Sequence, residues 1–280
     1  MNVNDLRVRD PFLFLENGTY YLVGTTGNDC WEGGSDLTLY SSRDLTEFER
    51  VRTMVGKDTL KGYKQVWAPE LHRFRGRYYL IVSLFREDKG RGSMILVSPS
   101  LNEDFVPLTG EYVTPLGWWC LDATLFVWKD KPYLIFSNEW INTVKKDGDG
   151  SLFVAELRED LTALVSEPKK IVSGKGCGFA AECTYSDGVK GYIAEGPFAV
   201  EENGKIALYW STIAKDGYCV AKSVAEDIFG EYRFEKMVFS GDGGHAMVFD
   251  DLTGERKITF HQPNASPYER MKVFGLEKNE

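Results

Sequence analysis

Three acidic side chains of this chain, Asp10, Asp122 and Glu195, stand in similar surroundings. Each heads a short apolar stretch: Asp10 opens DPFLFLE, Asp122 opens DATLFVWKD and Glu195 opens EGPFAVEENG. His245 stands likewise before AMVFD, and Ala68-Pro69-Glu70 before LHRFRG. Carboxyl groups gathered in one place cannot all ionise cheaply, so their pKa values separate. One acid held protonated beside another kept ionised is the raw material of acid–base catalysis. Taken singly, each of these residues also reads as a capping or turn residue before a strand. Their shared place in a repeat is what favours convergence on one site.

The elements that must position them are hairpins. Residues 9–24, RDPFLFLENGTYYLVG, read as two apolar strands joined at Asn17-Gly18, a dipeptide that favours a tight hairpin turn. The same plan returns four times, with turns marked by Gly76, Asp130, Gly204 and Gly254, at intervals of 58, 54, 74 and 50 residues. The opening polar residue lies eight or nine positions ahead of each turn. A single unit cannot bury its own apolar face, so five units predict one closed array.

Further strands follow each hairpin. In unit one they are expected at 37–41 and 48–54; third strands are expected at 92–101, 150–161 and 217–228, and DFVPLT and YRFEKMVF read as fourth strands. Unit five offers only ERMKVFGL beyond its hairpin. Four strands per radially repeated unit describe an all-β, five-bladed β-propeller, here one domain over residues 1–280. A β-sandwich would lack self-similarity at this period. First strands line a propeller's channel, so Asp10, Ala68, Asp122, Glu195 and His245 are expected to face one another at its mouth. Residues 166–191, Gly- and Lys-rich with little strand pattern, are read as a binding loop ahead of Glu195.

A formal charge of −9 and a pI near 5.1 argue against a nucleic-acid partner, because phosphate binding wants the opposite sign. Five cysteines, an odd number without CxxC spacing, fit reduced thiols better than a disulfide framework or a zinc knuckle. No apolar run of membrane-spanning length occurs, and the first ten residues lack the apolar core of a signal peptide. The expectation is a cytosolic protein without a membrane partner; the alternative is a secreted one whose signal peptide has been removed.

Taken in order, RDPF (9–12), VWAPE (66–70), CLDATLF (120–126), AEGPF (194–198) and GGHAMVF (243–249) resemble glycoside hydrolase family 43. The resemblance covers essentially the whole chain. It implies a five-bladed propeller that hydrolyses arabinofuranosides, xylosides or some galactans with inversion, and so an oligosaccharide or polysaccharide as partner. By position, Asp10 would be the general base, Glu195 the general acid, and Asp122 the carboxylate that tunes and orients the acid. Inverting chemistry asks for base and acid roughly 6.5–9.5 Å apart, leaving room for water.

The same resemblance makes His245 a candidate ligand of a calcium ion in the channel, although the chemistry itself needs no cofactor. His72 is expected to be a surface or core residue. Substrate-binding candidates are Arg9, Trp67, Trp119 and His261, the two tryptophans as subsite walls. Arg9 is read equally as a hydroxyl ligand or as a carboxylate's partner. The xylosidase type commonly carries a C-terminal β-sandwich, whereas 20 residues follow Phe260 here, so the expectation leans to an α-L-arabinofuranosidase over a β-xylosidase or galactan-active enzyme. A glycoside phosphorylase and a non-catalytic carbohydrate-binding propeller are the rival classes.

Overall fold

A computed structural model describes residues 1–27, 31, 36–185 and 188–276. The first blade comprises strands Arg9–Glu16, Thr19–Thr25, Thr38–Ser42 and Glu49–Thr53, each hydrogen-bonded to the next. Blade two runs Lys64–Phe74, Arg77–Arg86, Gly90–Ser98 and Val106–Pro107; blade three runs Cys120–Trp128, Lys131–Asn138, Ser151–Glu156 and Lys169–Ser173. Blade four runs Glu195–Glu202, Lys205–Ala214, Gly217–Ala225 and Arg233–Ser240, and blade five has three strands, Gly244–Asp250, Arg256–Gln262 and Arg270–Gly275. The first strand of each blade packs against the first strand of the next, and blade five's against blade one's. The ring is closed, as a five-bladed propeller requires.

Blades one to four open with two-residue turns whose residues both have positive φ, as in Asn17 (50°) with Gly18 (72°) and Asn203 (52°) with Gly204 (74°). That is the turn whose twist matches its flanking strands. Side chains alternate across each blade, and both faces are covered. Leu80, Val82 and Leu84 of blade two pack with Leu22 and Leu39 of blade one, while Tyr79 and Ile81 turn the other way, onto Leu134 and Phe136 of blade three. Blade four repeats this, with Leu208 and Trp210 toward blade three and Tyr209 toward Ile258 and Phe260 of blade five. Strands buried on both faces read as continuous apolar runs, as YYLIVSLF does. Full burial of each such side chain stabilises by roughly 1.5–3 kcal/mol.

Where blade five meets blade one, the segment ahead of the first strand takes part. Arg7 forms a bridge to Arg270, and Arg270 Nε donates to the Asn4 carbonyl at 2.8 Å. Buried Glu269 receives Arg7 Nε at 3.3 Å and Arg9 Nη1 at 3.0 Å.

Residues 166–191 correct part of an expectation, because the segment is not all loop. Their first part supplies the fourth strand of blade three, Lys169–Ser173, followed by a 3-10 turn at Lys175–Cys177 and a small hairpin, Cys183–Thr184 with Lys190–Gly191. The strand escaped notice because it is an outermost one with only Ile171 and Val172 apolar. Cys120, Cys177, Cys183 and Cys219 are free thiols, and Cys30 lies outside the described residues.

One irregularity recurs in every blade and organises the mouth of the channel. Each first strand carries a bulge with a left-handed residue: Asp10 (φ 50°), Ala68 (44°), Asp122 (53°), Gly196 (54°) and His245 (58°). Bulges re-aim side chains, here at the cost of a conformation L-residues disfavour. The freed amide is clasped by the preceding blade. Ala68 N–H donates to Thr25 Oγ1, Asp122 N–H to Ser83 Oγ and His245 N–H to Ser211 Oγ, each at 2.8 Å. At the closing junction His261 stands in for a hydroxyl, its Nδ1 accepting the Asp10 amide at 3.2 Å. Between blades three and four Ser137 donates instead to the Ala194 carbonyl at 2.6 Å, and the Gly196 amide goes to Asp122 Oδ2 at 3.1 Å.

Candidate active site

These bulges surround a cavity of about 500 Å³ lined by Asp10, Asp122, Glu195 and His245 together with Arg9 and Trp67. Asp10, Asp122 and His245 occupy the left-handed position of their blades. Glu195 does not. The equivalent residue of blade four is Gly196, and Glu195 lies one residue earlier, opposite Ser211, where the other blades hold Arg9, Trp67, Leu121 and Gly244. The expectation that all three carboxylates share one repeat position is therefore corrected. Gly196 is needed because His245 lies over it: a Cβ there would come within 3.0 Å of the imidazole Cγ.

Asp10 is fastened on several sides. Thr25 Oγ1 donates to its Oδ2 at 2.7 Å, and His245 Nδ1 lies 3.2 Å from its Oδ1. Burial alone would raise the Asp10 pKa, but His245, His261, Arg9 and the Thr25 hydroxyl outweigh it and bring the carboxyl down to about 2. The His245 imidazole is raised: burial opposes its charge, but Asp10, Asp122 and Glu195 prevail.

Asp122 and Glu195 move the other way. Burial pushes the Asp122 carboxyl up against the pull of His245, and the charges of Glu195 and Asp10 push further. Burial also raises Glu195, opposed by a hydrogen bond from Tyr218 and by His245, and aided by Asp10. Tyr218 O–H donates to Glu195 Oε1 at 2.8 Å, and burial, then the neighbouring carboxylates, keep that phenol protonated as donor. The cavity thus presents one carboxylate fixed as an anion, Asp10, and two, Asp122 and Glu195, biased toward their acid forms.

Arg9 faces the cavity from between two anchors, Glu269 and the Asn264 Oδ1 that its Nη2 reaches at 2.7 Å, with its guanidinium 4.9 Å from the Trp31 ring centre. The carboxylate pairing read for it is present. Trp67 also faces the cavity, with Arg91 stacked 3.9 Å from its ring centre. Trp119 does not. Its ring packs on Phe85 at 5.6 Å and against Gly90, where a Cβ would lie 2.9 Å from the indole, so its faces serve packing. His261 is wholly buried beneath Asp10, and its Nε2 lies 3.3 Å from Asn264 Oδ1. Burial and the charge of Arg9 lower its pKa to about 3, leaving a neutral ring that accepts a backbone amide and cannot reach a ligand. His72 is largely covered within blade two, its ring tilted against Phe12 at 5.0 Å and bonded to Glu70 Oε2 at 2.8 Å.

The donor set at His245 does not suit calcium, which takes six to eight oxygens. The imidazole Nδ1 is turned toward Asp10 and, at 3.8 Å, Asp122 Oδ2, and among the described residues no group of three or more His, Cys, Asp or Glu is arranged to hold a metal.

Sequence reasoning did not single out Tyr218, Arg91, Gln65, Glu139, Tyr185, Trp31 or Trp140; all but Tyr218 line the cavity. Arg91 and Tyr218 had a signal: each follows the glycine that opens a third strand, Gly90 and Gly217.

Comparison with known proteins agrees with this geometry. The profile of glycosyl hydrolases family 43 matches residues 3–276. Alpha-L-arabinofuranosidase 43 of Humicola insolens is 29% identical over 168 residues, covering 57% of this chain and 32% of that protein. The extracellular exo-alpha-(1->5)-L-arabinofuranosidase of Streptomyces chartreusis is 29% identical over 167 residues, covering 58% of this chain and 47% of that protein. The matches thus cover less than half the length of either relative. The crystal structure of an endo-arabinase from Bacteroides thetaiotaomicron superposes with a TM-score of 0.89 at 31% identity, covering 100% of this chain and 98% of that one.

Proposed function

The chain belongs to glycosyl hydrolase family 43, and from that premise we propose that it hydrolyses α-L-arabinofuranosyl linkages with inversion at the anomeric carbon. One observation carries the reading: Asp10 held anionic and Glu195 biased toward its protonated form line a single cavity. Asp10 takes a proton from the attacking water, and Glu195 gives one to the departing glycosidic oxygen. Asp122 orients the acid through the backbone, its Oδ2 holding the amide of Gly196, the residue after Glu195. The sugar is drawn from the relatives named arabinofuranosidases and from the endo-arabinase that covers the full chain.

The test is NMR of the first-formed sugar from an aryl α-L-arabinofuranoside, without phosphate, before mutarotation. Inversion without phosphate is expected, and it removes the phosphorylase and the binding-only rivals together. Retention would call for carboxylates only about 5–5.5 Å apart and a covalent intermediate, and would undo these roles.

Tyr218 supplies a second measurement. Its O–H stabilises the ionised form of Glu195, so Tyr218→Phe removes a group that favours loss of the proton. The alkaline limb of the pH–rate profile should move to higher pH in this variant. A limb that stays, or moves to lower pH, would separate Tyr218 from the acid.

A further inference from the structure

Glu195 must reach the oxygen of the bond it protonates, so the departing sugar leaves on the side of blade four. Two aromatic rings stand there. Trp140 lies in the 3-10 turn Trp140–Asn142 after the second strand of blade three, and Tyr185 at the tip of the small hairpin that precedes blade four. Both line the cavity with Glu195, and their rings meet edge to face at 6.2 Å and 74°. The hairpin's Cys183 thiol is raised by burial and next by the charge of Glu195, which sets it within electrostatic reach of the acid.

This platform is built in. Tyr192 N–H donates to the Gly148 carbonyl at 2.7 Å, and Gly150 N–H donates to that of Tyr192 at 2.9 Å, so the chain leaving the hairpin is zipped to the turn ahead of blade three's third strand. At the tip, Tyr185 N–H reaches the Val189 carbonyl at 2.8 Å. Trp140 is seated between glycines: a Cβ at Gly150 would lie 2.8 Å from its Cβ, and one at Gly191 would lie 3.0 Å from its Cε3. Gly191 abuts the indole and Gly150 the base of the side chain, and the ring lines the cavity, while Tyr185 stays half exposed. An aromatic pair beside a general acid suits the apolar C–H faces of a neutral sugar.

We propose that Trp140 and Tyr185 form a subsite for the sugar on the leaving side of the cleaved bond, the second arabinose of an α-(1→5)-linked chain. The proposal rests on the arabinosyl reading above. Binding energy from this second sugar is available to orient the glycosidic oxygen toward Glu195.

The test is calorimetric binding of L-arabinose and of α-(1→5)-arabinobiose to the Glu195→Gln protein, whose slow turnover of the disaccharide allows equilibrium. The disaccharide should bind at least about tenfold more tightly than the monosaccharide, a gain of about 1.4 kcal/mol. Adding Tyr185→Ala should reduce that gain to about twofold or less, and Tyr185→Phe, which keeps the ring, should restore it. With its ring half exposed, Tyr185 can be truncated without threatening the fold. A gain undiminished by Tyr185→Ala overturns the subsite alone. Binding of neither sugar overturns the arabinosyl reading, and the subsite's ligand with it.

Discussion

Replacing Asp10 by asparagine is expected to leave a folded protein that has lost nearly all hydrolysis, on activated and natural substrates alike. The base must take a proton from water whatever group departs, and an amide cannot. The loss should reach at least the roughly 10²–10⁴-fold that positioned acid–base groups contribute. Folding should survive because asparagine tolerates the left-handed conformation that Asp10 adopts at φ 50°. The amide clasped by His261 belongs to the backbone and is unchanged by the substitution, and an amide oxygen can still accept from Thr25. Turnover measured beside a thermal unfolding curve decides the matter. Near-wild-type rates would remove Asp10 from the mechanism, and a collapsed unfolding transition would show it to be structural.

Glu195→Gln should discriminate between substrates instead. A nitrophenolate leaves with little help, whereas a sugar hydroxyl must be protonated as it goes. The variant should cost little on an aryl arabinofuranoside and at least about 10²-fold on an arabino-oligosaccharide. The pH profile carries the same signature. Because burial raises Glu195, the wild-type rate should fall on the alkaline side as the proton is lost, above the ordinary glutamate range. The acid side should owe nothing to Asp10 until pH approaches about 2. Glutamine abolishes the alkaline limb because it has no proton to lose. Equal harm to both substrates would place the acid elsewhere, and Glu182, which precedes the small hairpin, would be the next group to replace.

The sequence announced the propeller because each blade opens with the same local chemistry, an apolar strand, a two-residue turn and a second apolar strand. At the catalytic positions it was off by a single residue. Counted back from the turn, Asp10, Ala68 and Asp122 lie eight positions ahead, and so does Gly196, whereas Glu195 lies nine. His245 also lies nine ahead, because the turn between Asp250 and Arg256 is longer, and that coincidence hid the offset.

The clasping hydroxyls were equally visible, in GTYYLVGT, YYLIVS, PYLIFS and IALYWS, with His261 at the same point of KITFHQ. Read as a neighbour of the channel, His261 looked like a ligand of substrate; only the register of the blades shows it among the clasps. Trp119 misled for a related reason, since adjacency to Asp122 in sequence does not decide which way an indole faces. Tyr185 comes from a hairpin, where no repeated marker flags what turns inward, and Arg91 from a third strand marked only by the glycine that opens it.

The left-handed bulge separates two duties that most strand positions must combine. Its backbone amide locks neighbouring blades together, while its side chain, released from the ladder, stands over the channel. Asp, Ala, Asp, Gly and His occupy the five places. Where a neighbouring hydroxyl holds the amide, as at Ala68, the place works as a socket whose displayed side chain can change without renegotiating how the ring is held. Asp122 is the exception, because its displayed carboxylate also holds the Gly196 amide of the next blade.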